Sequence, residues 1–146
     1  MRRHSSIPKS LWLLIVALLS SGCGDPEKHA DARRTSYEAY EKGLVAFSAR
    51  DYGTASGLLS AAVGTGFLNA DAYSNAATRL AVSYAAEKRF DEALALLNEL
   101  DKGAPNFDEV YAARSYVLAK QGKVAESRAA LAKARQFNRA VQEFKD

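Results

Sequence analysis

Three features of this 146-residue chain predict an all-α fold. From residue 35 onward it is rich in alanine, with apolar residues at helical spacing. No run of alternating Val, Ile or Thr residues argues for a strand. A pattern also returns along the chain, at intervals of 38 and then 34 residues. Its copies are Tyr52-x-x-Ala55-x-x-x-Leu59-x-x-Ala62, Phe90-x-x-Ala93-x-x-x-Leu97-x-x-Leu100 and Val124-x-x-Ser127-x-x-x-Leu131-x-x-Ala134. Each copy lays four positions on one stripe of a helix. The second position is small, where a neighbouring helix can cross closely.

The elements before this body have their own chemistry. Residues 1–10 are basic, Leu11 to Leu19 are unbroken apolar, and Ser20, Ser21 and Gly22 are small. That order marks residues 1–22 as a signal peptide. Nine apolar residues span about 14 Å as a helix, half of a roughly 30 Å hydrocarbon core, so cleavage fits better than a membrane span. Leu19-Ser20-Ser21-Gly22-Cys23 resembles the lipobox of bacterial lipoproteins. The resemblance implies lipidation of the Cys23 sulfur, cleavage before Cys23 and an anchored new N-terminus. Because Gly24, not Asp, follows the cysteine, the resemblance also implies sorting to the periplasmic side of an outer membrane where two membranes exist. The alternative is a signal-anchored or secreted protein without lipid. Residues 23–34 read as a flexible tether, polar and interrupted by Pro26, with His29 an exposed linker residue.

The body, residues 35–146, reads as helical hairpins. Thr35-x-x-Glu38 and Asn106-x-x-Glu109 have the form of capping boxes at two helix starts. Gly122 suits a left-handed helix end, and Gly64-Thr65-Gly66 closes the first hairpin. That Gly-Thr-Gly is not followed by Gly-Lys-Ser/Thr, so a phosphate loop is not predicted. Asn138 is expected to cap a short final helix that returns Val141 and Phe144 to the last hairpin. The alternative leaves Phe137, Val141 and Phe144 exposed for a partner.

Period and pattern together resemble tetratricopeptide repeats, helix–turn–helix units of 34 residues. The middle copy carries the resemblance best, with Leu80, Ala81, Tyr84, Phe90, Ala93, Leu97 and Pro105. The first keeps Gly43, Tyr52, Ala55, Leu59 and Ala62, and the third keeps Tyr111, Leu131 and Ala134. The resemblance covers about residues 35–137. It implies an α-solenoid of about three repeats with a short C-terminal capping helix, its core formed by Tyr52, Ala55, Leu59, Leu80, Tyr84, Phe90, Ala93, Leu97 and Leu131. It also implies a concave groove lined by the first helix of each repeat, with Tyr37, Tyr40, Leu44, Asn75, Tyr116 and Lys120 as partner-binding residues. The Lys and Asn set with which chaperone-binding members clamp a terminal carboxylate is absent, since Tyr40 and Leu44 stand at those positions.

Charge and composition narrow the function. The formal +3 comes from Arg2, Arg3 and Lys9; beyond them 17 basic residues balance 17 acidic ones, so a nucleic-acid partner is not expected. The acidic surplus lies before residue 110 and the basic surplus after it, a polarity that favours head-to-tail self-association or orients a partner. One Cys and two His, His4 and His29, leave no set for a metal, a disulfide or a His-based catalytic pair, and no cofactor is expected. Adjacent carboxylates such as Asp108 and Glu109 diverge around a helix, so no acid–base pair forms and an enzyme is not expected. The reading is a lipid-anchored scaffold or adaptor of the cell envelope that binds a protein or peptide and serves the assembly or regulation of an envelope complex. A small-ligand carrier and an accessory subunit of a cell-wall enzyme are the alternatives.

Overall fold

The computed structural model describes residues 26–145. The signal segment and Cys23 lie outside the described residues. Six helices form, with no strand among the described residues: α1 Pro26–Ser48, α2 Tyr52–Gly64, α3 Ala70–Ala86, α4 Phe90–Leu100, α5 Phe107–Lys120 and α6 Val124–Phe137. None of them is long and apolar enough to cross a membrane. The chain divides into two units, Met1–Asp31 and Ala32–Asp146. The helical hairpins belong to the second.

Residues 26–34, expected as a flexible tether, are helical. Pro26 is the first residue of α1, where a missing N–H is tolerated, and Glu27 follows in the first turn, favourable to the helix dipole. Ala, Arg, Lys and Glu then dominate up to Arg34, all good helix formers. Thr35 is therefore an interior residue and caps nothing. The caps that do form are Asp51, whose Oδ1 accepts the Thr54 amide at 3.1 Å, and Asn69, whose Oδ1 accepts the Ala72 amide at 2.8 Å. Hydrogen bonds from the Thr54 hydroxyl and then from its amide hold the exposed Asp51 carboxyl below its usual pKa. Asn106 precedes α5 but makes no cap bond, because its Oδ1 accepts the Ser74 hydroxyl of α3 instead.

The first helix of each hairpin ends in the same way. Arg50, Lys88 and Gly122, spaced 38 and 34 residues apart, take positive φ of 61°, 65° and 78°. Their amides reach the carbonyls of Phe47, Ala85 and Ala119 at 3.0, 3.0 and 2.9 Å. The following amides, of Asp51, Arg89 and Lys123, reach Ala46, Tyr84 and Leu118 at 3.0, 2.8 and 2.9 Å. This paired arrangement is the Schellman helix end, which requires one left-handed residue. The sequence period is thus a period of backbone geometry, and only the third copy uses glycine for it.

Packing follows the small positions. Ala55 and Ala93 are fully buried and Ser127 nearly so. Leu59 and Leu97 are fully buried, Leu80 is buried, Tyr52, Tyr84 and Phe90 are half-buried against the core, and Leu131 is half-buried. Burial of each leucine contributes about 1.5–3 kcal/mol. The stripe fades at Val124, 54% exposed on the last described helix. Helix α3 touches α2, α4 and α5, and α5 touches α4 and α6, so each hairpin packs on the next. Gly43 on α1 meets α2 most closely, since a Cβ there would lie 2.8 Å from Leu59 Cγ and Cδ2. The buried Ser36 hydroxyl joins the same pair through the Ala62 carbonyl at 3.2 Å and the Thr65 hydroxyl at 2.7 Å.

Beyond α6 the expected capping helix does not form. Asn138 turns extended, at φ −146° and ψ 109°, after its amide bonds Ala134. Its side chain then bonds the Ala140 amide at 3.0 Å and donates to Asp108 Oδ2 at 2.8 Å. These bonds commit Asn138 to a chain reversal instead of a new helix. Residues 140–145 run on without helix, and Val141 and Phe144 still return to the core.

Two stability predictions follow from this packing. Gly43→Ala forces Leu59 aside in a filled site and is expected to cost about 1–3 kcal/mol, read as a lower midpoint in chemical denaturation. Gly122→Ala places a Cβ in left-handed backbone and is expected to cost about 1 kcal/mol, while Lys88→Gly removes the same strain and is expected to be neutral to stabilising. Equal effects of the last two in thermal unfolding would show that the repeated turn carries no strain.

Candidate functional site

The first helices α1, α3 and α5 share one face, joined by polar bonds between side chains. Tyr40 on α1 donates its hydroxyl to Asn75 Oδ1 on α3 at 3.1 Å. Arg79, one turn further along α3, bonds Glu109 Oε2 on α5 at 3.0 Å, with both side chains partly covered. Tyr37 stands edge-on to Tyr40 with ring centres 6.3 Å apart, and its phenol oxygen accepts the Asn69 amide at 3.2 Å. Burial pushes the Tyr40 phenol above its usual pKa, against the opposing pull of Arg79.

Of the six predicted partner-binding residues, Tyr37, Tyr40 and Asn75 come together on this face. Leu44 and Tyr116 do not remain open. Leu44 packs on the cluster of Ala55, Leu59, Ala76 and Leu80, and Tyr116 is only 6% exposed within the main core. Together with the buried Val82 they form one equivalent row, each directly after a small residue: Gly43, Ala81 and Ser115. The second helix crosses at those small residues, so the next side chain along is drawn into the contact. Ser115 shows this on α5: its carbonyl accepts the Ser127 hydroxyl of α6 at 2.9 Å. Lys120 is exposed at the end of α5, with Nζ 5.5 Å from the Tyr116 ring centre.

A cleft of about 480 Å³ lies on the same side of the hairpins. Its helical wall includes Phe47, Ser48, Arg79, Val82, Asp108 and Glu109, with Arg50 and Tyr52 at the first turn. The opposite wall is the chain's own segment from Asn138 to Lys145. Aromatic contacts run through it: Phe47 meets Tyr52 at 5.7 Å and Phe144 at 6.1 Å, both edge-to-face. Asp108 and Glu109 do diverge, one bonding Asn138 and the other Arg79.

Arg79 is not among the groove positions that helical spacing selects. Its signal was present, as the single charge within Ala76-Ala77-Thr78-Arg79-Leu80-Ala81-Val82. A charge in a buried run marks a site where a partner must be near. Phe137, which the alternative reading leaves exposed for a partner, stacks on Phe107 at 5.5 Å and on Tyr111 at 6.1 Å and is still 55% exposed.

No protein-family model matches the sequence, and no curated protein and no solved structure matches it.

Tyr40→Phe removes the donor to Asn75 and is expected to cost about 0.5–1.5 kcal/mol. With a raised phenol pKa, the protonated form is the one the fold favours, so this contribution is present below the ordinary tyrosine pKa and fades as pH rises through the raised one. An ultraviolet alkaline titration of the folded protein is expected to lose its late-titrating tyrosine in the variant; an unchanged titration would contradict the assignment.

Proposed function

We propose that this protein is a lipid-anchored scaffold or adaptor of the bacterial cell envelope. In this reading its hairpins form a solenoid of three tetratricopeptide-like repeats, and the shared face of α1, α3 and α5 holds an extended segment of a protein partner. The observation that carries the reading is the cleft of about 480 Å³ lined by all three first helices, aromatic at the Phe47 and Tyr52 end and polar at Arg79, Asp108 and Glu109. Aromatic side chains offer contact area with little entropy to lose, and a few placed polar groups set register; that combination suits a peptide more than a small reactant. The repeat assignment is supported by the identical turns at Arg50, Lys88 and Gly122. The anchor rests on the signal-peptide layout and Cys23. At least two acyl chains are needed for stable membrane attachment, and a lipidated N-terminal cysteine supplies them.

Ser48 is exposed at the cleft and bonds only the Leu44 carbonyl of its own helix among the described contacts, at 2.9 Å. Ser48→Trp is therefore expected to fill the cleft without disturbing the core. Cross-linked affinity capture from native membranes, read by mass spectrometry, is expected to recover an envelope protein with the wild type and to lose it with Ser48→Trp at unchanged helical content. Equal recovery from both would overturn the groove. Metabolic labelling with a tagged fatty acid is expected to mark the wild type but not Cys23→Ala, and an unlabelled wild type would overturn the anchor.

A further inference from the structure

We propose that residues 138–145 are a tethered stand-in for the groove's external ligand, an extended protein segment with an aromatic residue three places after an aliphatic one, which enters by displacing Phe144. The inference rests on the groove reading above and adds the ligand's chemistry and the means of control.

Among the described tail residues beyond Arg139, only Val141 and Phe144 have half-buried side chains, and the residues around them are exposed. Both pack on the cluster of Tyr111, Ala112 and Ala134. Phe144 also completes the aromatic set of Phe47 and Tyr52. The segment therefore occupies the face as a bound peptide would, through two apolar anchors on an otherwise solvated chain. Its path leads from Asp108 at the start of α5, past Arg79 and Val82 of α3, to Phe47 at the end of α1.

The tail is held lightly. Among the described contacts its polar ties to the helices are Asn138 to Asp108 at 2.8 Å and Glu143 to Arg135 at 2.6 Å, both exposed. Exposed ties of this kind contribute little and weaken with salt. The unfilled cleft beside the tail leaves room for a bulkier segment on the same anchors. A tethered competitor that occupies the site most of the time lowers apparent affinity by the fraction of open protein, so a tail seated nine-tenths of the time gives about a ten-fold effect.

The test uses the full chain and a fluorescent synthetic peptide of residues 138–145, read by anisotropy. A tail-released variant, Val141→Ala/Phe144→Ala, is expected to bind this peptide about ten-fold more tightly than the wild type. Phe144→Leu keeps the apolar anchor and is expected to bind nearer to the wild type. Adding Phe47→Ala to the released variant is expected to abolish binding, as is a peptide carrying Phe144→Ala. Circular dichroism controls for folding. Equal, Phe47-dependent binding by wild type and released variant would refute the competitor while leaving the groove reading intact. No binding by any folded variant would overturn both.

Discussion

Close approach at small side chains is the constraint on which this structure depends. The second helix of each hairpin presents Ala55, Ala93 or Ser127, and the first presents Gly43, Ala81 or Ser115. Gly43 is the tightest of these, since a methyl group there would meet Leu59 at 2.8 Å and force it aside. In the third hairpin the two small residues are polar, and they satisfy each other: the Ser115 and Ser127 hydroxyls lie 3.0 Å apart. A buried hydroxyl without a partner would have been costly there. Departures from an apolar pattern are thus matched across the interface, not scattered.

The same constraint shapes the candidate site. Once the small positions draw the second helices close, Leu44, Val82 and Tyr116 are spent on packing. What remains on the shared face is the row of Tyr37, Tyr40, Asn75, Arg79 and Glu109, whose polar atoms bond across neighbouring helices. Those bonds order the face in advance, so a segment bound there would lose less entropy on binding. The chain's own tail borders that row at Arg79 and Glu109.

Much of this was legible in the linear pattern. Helix periodicity, the 38- and 34-residue intervals and the buried positions Ala55, Leu59, Ala93 and Leu97 depend on local spacing, which one helix face records directly. Gly122 announced its left-handed turn; Arg50 and Lys88 did not, because neither is a residue type that favours positive φ. Asn106 looked like a cap and is none, since its side chain is taken by Ser74, 32 residues earlier in the chain. No local pattern records such a competition.

Amino-acid order alone is enough for the helical body and the returning pattern, because each is written in residues close together along the chain. The third dimension decides which members of an equivalent row stay open, that Arg79 meets Glu109, and that the tail after Asn138 crosses the hairpins without helix. These outcomes depend on which helices come near one another. Distances such as the 6.1 Å between Phe47 and Phe144 arise only after three hairpins have packed.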